Sequence, residues 1–119
     1  MSTLKVATIQ DTSGNNSSTP SEVSNGRAKA WCNFKGTGTV SIRDSYNISS
    51  LADNGTGQYT LSFTSAMANT NYAAVFGANA SVAGYAGTET QNTGTLQCFG
   101  SVAGSFNDIL ICNVAVFGD

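Results

Sequence analysis

The chain has no histidine. That removes Ser-His-Asp and Cys-His catalysis and every imidazole metal site. Only 10% of its residues are charged, so long exposed helices laced with ion pairs are excluded. Lysine and arginine stop altogether after Arg43, leaving Lys5, Arg27, Lys29, Lys35 and Arg43 as the only cations. A nucleic-acid surface needs clustered cations to displace counterions from phosphates, and these few sit in a chain with a pI near 4.7. No nucleic-acid partner is expected.

No apolar run approaches the ~18–20 residues that span a bilayer, and "MSTLKVATIQ" has no apolar signal-peptide region. No membrane association is expected, and synthesis is read as cytosolic. Three cysteines, an odd number, do not close a disulfide framework. The five Asn-x-Ser/Thr triplets, at Asn15, Asn16, Asn47, Asn54 and Asn79, are read as accidents of composition.

Glycine pairs raise one chemical possibility. "DNGTGQYTLSF" (53–63) places Gly55 and Gly57 where a phosphate-gripping loop could begin. A dinucleotide fingerprint needs a third glycine at the sixth position and a helix behind it. Thr60 stands there, and Ser41 stands there after Gly36 and Gly38. Both pairs run into alternating strand patterns, so they read as hairpin bends. Asn54-Gly55 is the favoured pair for positive φ. The carboxylates Asp44, Asp53, Glu89 and Asp108 read as solvated surface groups rather than a paired acid and base. No lysine is placed beside a serine for Ser-Lys chemistry. The sequence offers no catalytic group, no metal set and no cofactor motif, and the chain is read as non-enzymatic.

What is present is small and polar. Ser, Thr, Asn and Gly make up 54 of the 119 residues, a mixture that disfavours helices and suits short strands joined by turns. Residues 1–26 form one compositional unit: Leu4, Val6 and Ile9 dot an otherwise polar run, "QDTSGNNSST". Such a run cannot build a core and reads as an extended anchoring arm. Its end, "TPSEVSNG", predicts a short helical turn over 20–25, with Thr19 as N-cap, Pro20 at the first helical position, Glu22 closing the capping box and Gly26 as the stop.

Residues 27–119 read as one all-β domain, an antiparallel β-sandwich or jelly-roll-like fold. In "AWCNFKG" either Ala30, Cys32 and Phe34 or Trp31 and Asn33 face inward. In "TVSIRDSYNIS" Val40, Ile42, Tyr46 and Ile48 point one way, with a bend at Asp44. Tyr59, Leu61 and Phe63 form a half-buried strand. "NYAAVFGANA" is a further strand, and "VAGYAGTETQNTG" a loop-rich stretch with a short edge strand. "TLQCFGSV" and "ILICNVAVFG" close the chain, giving about eight strands. The echoes "GTGTVSI", "GTGQYTLSF" and "TGTLQCF" are repeated hairpin devices at unequal spacing, not a solenoid. A hairpin centred near Ser105 would set Cys98 opposite Cys112; the alternative is reduced thiols acting as small core hydrophobes, with Cys32 filling space beside Trp31. Most aromatics fit a core. Tyr85 and Phe106 are the exceptions, expected in exposed distal loops, where rings can serve a lectin-like glycan site.

The final two strands offer apolar residues to both faces, and burial of the second face calls for an oligomer. The cationic early strands can also meet the Lys-free later half of a neighbour. Leu4, Val6 and Ile9 are expected to pack on another chain.

From Leu4 to Val75, and most densely in "RAKAW-NF-GTGTV-IRDS-N-SS-DNGTG-YT--F", the sequence resembles a module of bacteriophage virion proteins, notably tail fibres and surface proteins of cyanophages and other marine phages. Cys32 stands where an aliphatic residue is expected, and beyond Phe76 the resemblance ends. It implies a structural virion component, assembled in the host cytoplasm, with the major capsid protein or another virion protein as partner and a three-fold homo-oligomer as its state. Without a fibre shaft, a capsid decoration or cement protein is the leading expectation. A tail fibre or knob subunit is the alternative, and a glycan-binding module that meets a host surface glycan the second.

Overall fold

In a computed structural model the chain is described over residues 1–79 and 84–118. Ser81 of the Asn79 triplet, Val82 and Asp119 lie outside the described residues. One short helix, α1 (Pro20–Gly26), precedes nine strands: β1 (Ala30–Lys35), β2 (Ser41–Tyr46), β3 (Ile48–Gly55), β4 (Gln58–Phe63), β5 (Ala73–Asn79), β6 (Gly84–Gln91), β7 (Thr95–Val102), β8 (Ser105–Phe106) and β9 (Ile111–Phe117). All strand pairs are antiparallel. They build two sheets, ordered β2-β1-β9-β5 and β3-β4-β7-β6, with β8 added to β7. The fold is an all-β sandwich.

Period-two burial explains the two layers. Ala30, Cys32 and Phe34 of β1 are buried, as are Tyr59, Leu61 and Phe63 of β4, Leu96 and Cys98 of β7, and Cys112, Val114 and Val116 of β9. Each fully buried large apolar side chain contributes roughly 1.5–3 kcal/mol. Phe34 of one sheet meets Tyr59 of the other edge-on, with centroids 5.1 Å apart. Phe63 meets Tyr72 the same way at 5.7 Å.

Three expectations are corrected. The break after β2 falls at Asn47, which adopts φ 58°, and not at Asp44. Asp44 instead flanks a β-bulge: Asn33 pairs with Asp44, whereas the next residue, Phe34, pairs with Ile42. The extra residue reverses the parity of the strand, so Tyr46 points outward and Ser45 is half-buried. The β3–β4 connection is Thr56-Gly57, between the paired Gly55 and Gln58, so Asn54-Gly55 is not the turn. Cys98 and Cys112 are not hairpin partners. The chain turns at Ala103-Gly104, both at positive φ, pairs only Ser105 and Phe106 with β7, then crosses to the other sheet. There β9 lies between β1 and β5.

Candidate functional site

No residue of α1 is buried, and residues 1–26 are exposed throughout except for half-buried Ser18 and Ser24. The radius of gyration is 17.1 Å and the longest extent 51 Å, against about 13–14 Å expected for a compact chain of this length. Local bonds shape this segment. Ile9 and Ser18 exchange both backbone hydrogen bonds at 2.8 Å, closing residues 9–18 into a loop where an extended run was expected. Inside it the Asp11 carboxylate accepts from the backbone N–H of Ser13 (2.9 Å) and Asn15 (2.8 Å) and from Asn16 Nδ2 (3.0 Å). These bonds, that from Asn15 foremost, hold its carboxyl below its ordinary value. The capping box forms as its sequence implies: Thr19 Oγ1 accepts from Glu22 N, and Glu22 Oε2 accepts from Thr19 N at 2.7 Å. The Thr19 backbone N–H holds the Glu22 carboxyl low as well.

That geometry gathers the apolar residues. Leu4, Val6, Ile9, Pro20 and Val23 line one hollow of about 490 Å³, together with Lys5 and Arg27. Leu4 is 85% exposed. Val23 was missed in the sequence, although its place in the capped turn that follows the Ile9–Ser18 pair is local turn chemistry that could have revealed it.

Tyr85 and Phe106 are half-exposed, at 52% and 51%, but they lie in β6 and β8 and not in loops. Both contact Phe99 of β7 edge-on, with centroids at 5.9 and 6.0 Å and interplanar angles of 85° and 68°. They flank Ser101, which both residues face across the sheet and which is buried. On the outer face of β7, Ser101 is thus buried and Thr95, Gln97 and Phe99 half-buried within the chain itself. Beside the rings, Gln58 Nε2 donates to Glu89 Oε1 at 3.2 Å.

The charge pattern is also absorbed internally in part. Lys29 Nζ donates to Gly118 O at 2.8 Å, and Arg43 Nη2 to Leu110 O at 2.8 Å. Asp108, expected to be a solvated group, accepts from the Gly57 N–H at 2.8 Å. The buried Tyr59 hydroxyl donates to Gly36 O at 2.8 Å and accepts from Ile109 N at 3.3 Å. Burial pushes the Tyr59 phenol well above its ordinary value. This is a structural staple, closed to substrate.

All three cysteines are free and buried. Burial raises Cys32 to about 11 and Cys112 to about 12, and pushes Cys98 higher still. Among the described residues no group of three or more Cys, Asp or Glu is placed to hold a metal. Among the described residues no helix is long and apolar enough to cross a membrane.

The outer face of the other sheet was not singled out in the sequence. There Trp31, the chain's one tryptophan, is 38% exposed and borders a second hollow of about 410 Å³ over β1, β9 and β5. No protein-family model matches the chain, and no curated protein or solved structure is similar to it.

Proposed function

We propose that the chain is a non-enzymatic structural component of a bacteriophage virion, a capsid decoration or cement protein held to the particle by residues 1–26. The observation that carries this reading is the apolar hollow of Leu4, Val6, Ile9, Pro20 and Val23, which the chain's own sandwich leaves uncovered. Covering three such side chains is worth roughly 1.5–3 kcal/mol each before ordering costs. The phage assignment itself is supported by the resemblance over Leu4 to Val75. The partner is the major capsid protein or another virion protein, and the body is a homotrimer.

Fractionating virions into emptied heads and tails tests the assignment: the protein should travel with the heads. Recovery with the tails would move it to the alternative, a fibre or knob subunit. Deleting residues 1–18 should leave a folded sandwich that no longer binds virions; unchanged binding would refute the anchoring role. Sedimentation of the isolated protein should give about three times 12.2 kDa.

A second reading, a lectin-like module for host surface glycans, is favoured by the half-exposed rings of Tyr85 and Phe106 beside the Gln58–Glu89 pair. Loss of glycan-array signal in Tyr85→Ala would place the binding there.

A further inference from the structure

The outer face of the β2-β1-β9-β5 sheet is a trough with a shaped floor. Strand register puts Trp31 beside Ala115 and, beyond it, Val75 in one row across the sheet; Asn33, Asn113 and Gly77 form the next. Ala115 on β9 leaves the first row low between Trp31 and Val75, and Gly77 on β5 leaves the far side of the next row open. Strands lie about 4.8 Å apart, so these walls, two strands apart, are separated by roughly 10 Å. The open hollow has a volume of about 410 Å³, within the usual range for small ligands.

The polar groups are oriented by one another. Asn33 Nδ2 donates to Asn113 Oδ1 at 2.6 Å, and Arg43 Nη1 donates to Asn33 Oδ1 at 3.2 Å. Arg43 is in turn held by Leu110 O. Both amide oxygens thus have partners, while among the described residues Asn113 Nδ2 donates to no protein acceptor. The lining residues carry no charge. A ligand suited to this trough is uncharged, has one flat apolar face for the indole, and carries oxygen acceptors for amide N–H groups. A sugar ring offers an apolar C–H face to the indole and hydroxyl oxygens to the amides in one rigid, uncharged unit.

We propose that the trough formed by Trp31, Asn33, Gly77, Asn113 and Ala115 binds a neutral pyranose unit of a glycan, stacked on Trp31 and hydrogen-bonded by Asn113. The inference deepens the glycan reading on a different sheet from Tyr85 and Phe106, and it is independent of the anchoring role.

Trp31 is its own reporter, because no other tryptophan contributes emission. The wild-type protein is titrated with methyl glucoside, methyl galactoside, methyl mannoside and N-acetylglucosamine, then with their hexasaccharides. A saturable change in emission with at least one is expected. Gly77→Val is the decisive variant. Its backbone is outside the positive-φ region, and the nearest atom to an added Cβ is 4.0 Å away, so the fold accepts it while the side chain fills the trough. It should melt like the wild type and bind at least about tenfold more weakly. Asn113→Ala should weaken binding too, and Tyr85→Ala should not. The inference is overturned by the absence of any saturable response, or by an undiminished response in Gly77→Val. It is equally overturned by glycan binding lost in Tyr85→Ala alone, which would keep the glycan reading at the other surface. An emission change that follows protein concentration without sugar would also overturn it, since a second copy would then fill the trough.

Discussion

In residues 1–26 every fixed hydrogen bond joins residues at most nine apart, as in the Ile9–Ser18 pair, the Asp11 loop and the Thr19–Glu22 box. In the sandwich the decisive bonds join distant segments: Lys29 to Gly118, Asn33 to Asn113, Gly57 to Asp108. The first region is closed by two surface carboxylates, Asp11 and Glu22, whereas the second joins its segments through charged and neutral groups alike around a buried apolar core. Local bonding gives a shape that survives without a core. Long-range bonding gives a core in which a clash at a crossing point, such as Gly57, is felt by several segments at once.

The largest effect that would test this contrast is at Gly57. Its φ is +65°, and an added Cβ would lie 2.5–2.7 Å from Asn107 N, Gly100 O and Asn107 O. Gly57→Val should cost more than about 4 kcal/mol and prevent folding. Gly55, at φ +138° with only Gln58 Oε1 near an added Cβ, at 3.5 Å, should cost only about 1–3 kcal/mol as Gly55→Val. Equal stability of the two variants in urea would remove the idea that Gly57 pins three segments.

Alkali should weaken the sandwich next. The thiols and Tyr59 have raised values in the folded chain, so above the ordinary thiol value of 9.0 the unfolded chain releases protons that the folded chain keeps. Stability is full below about pH 9 and then falls, each thiol adding a slope of about 1.4 kcal/mol per pH unit until its folded value is reached. Urea midpoints from pH 8 to 11 measure it, and a flat profile would mean that the thiols are not dry.

Acid should act on the other region. Asp11 and Glu22 are lowered, so their contribution is complete above the ordinary values of 3.8 and 4.5 and is lost as pH falls through the lowered ones. Pepsin at about pH 3 should trim residues 1–26 and spare the sandwich. The smallest effect is removal of residues 1–18, which should shift the stability of the body by less than about 0.5 kcal/mol. A larger shift would join the two regions into one cooperative unit.

The same division governs what could be read from sequence. Thr19, Pro20 and Glu22 announced α1 because N-capping is decided within one turn, whereas Gly26, expected as the stop, is the last helical residue and extended Arg27 is the C-cap. Tyr59, Leu61 and Phe63 announced β4 because alternation is local too. The parity of Tyr46 was lost at a bulge that exists only through pairing with Asn33 and Phe34. Cys98 and Cys112 were set opposite each other because nothing local shows that β8 ends after two residues. Gly57 looked secondary to Gly55 until Asn107 and Gly100 were brought against it. The Trp31 trough is less legible still: its walls come from β1 and β5, joined only through β9.

That arrangement has a consequence for how the chain is made. β9, the last strand, occupies the interior of its sheet and is the sole partner of β5 in that sheet, while the Asn33–Asn113 contact spans 80 positions. A ribosome must release the segment through β9 before β1 and β5 find their neighbour. Until then the nascent protein holds a β1-β2 ribbon and an orphan β5 with no charged side chain on it. Such long-range closure belongs to slow folders, on the millisecond-to-second scale. The interval is when chaperones, low temperature or slow expression matter most. A stop codon before Ile111 should yield insoluble product, whatever is done at the other end of the chain.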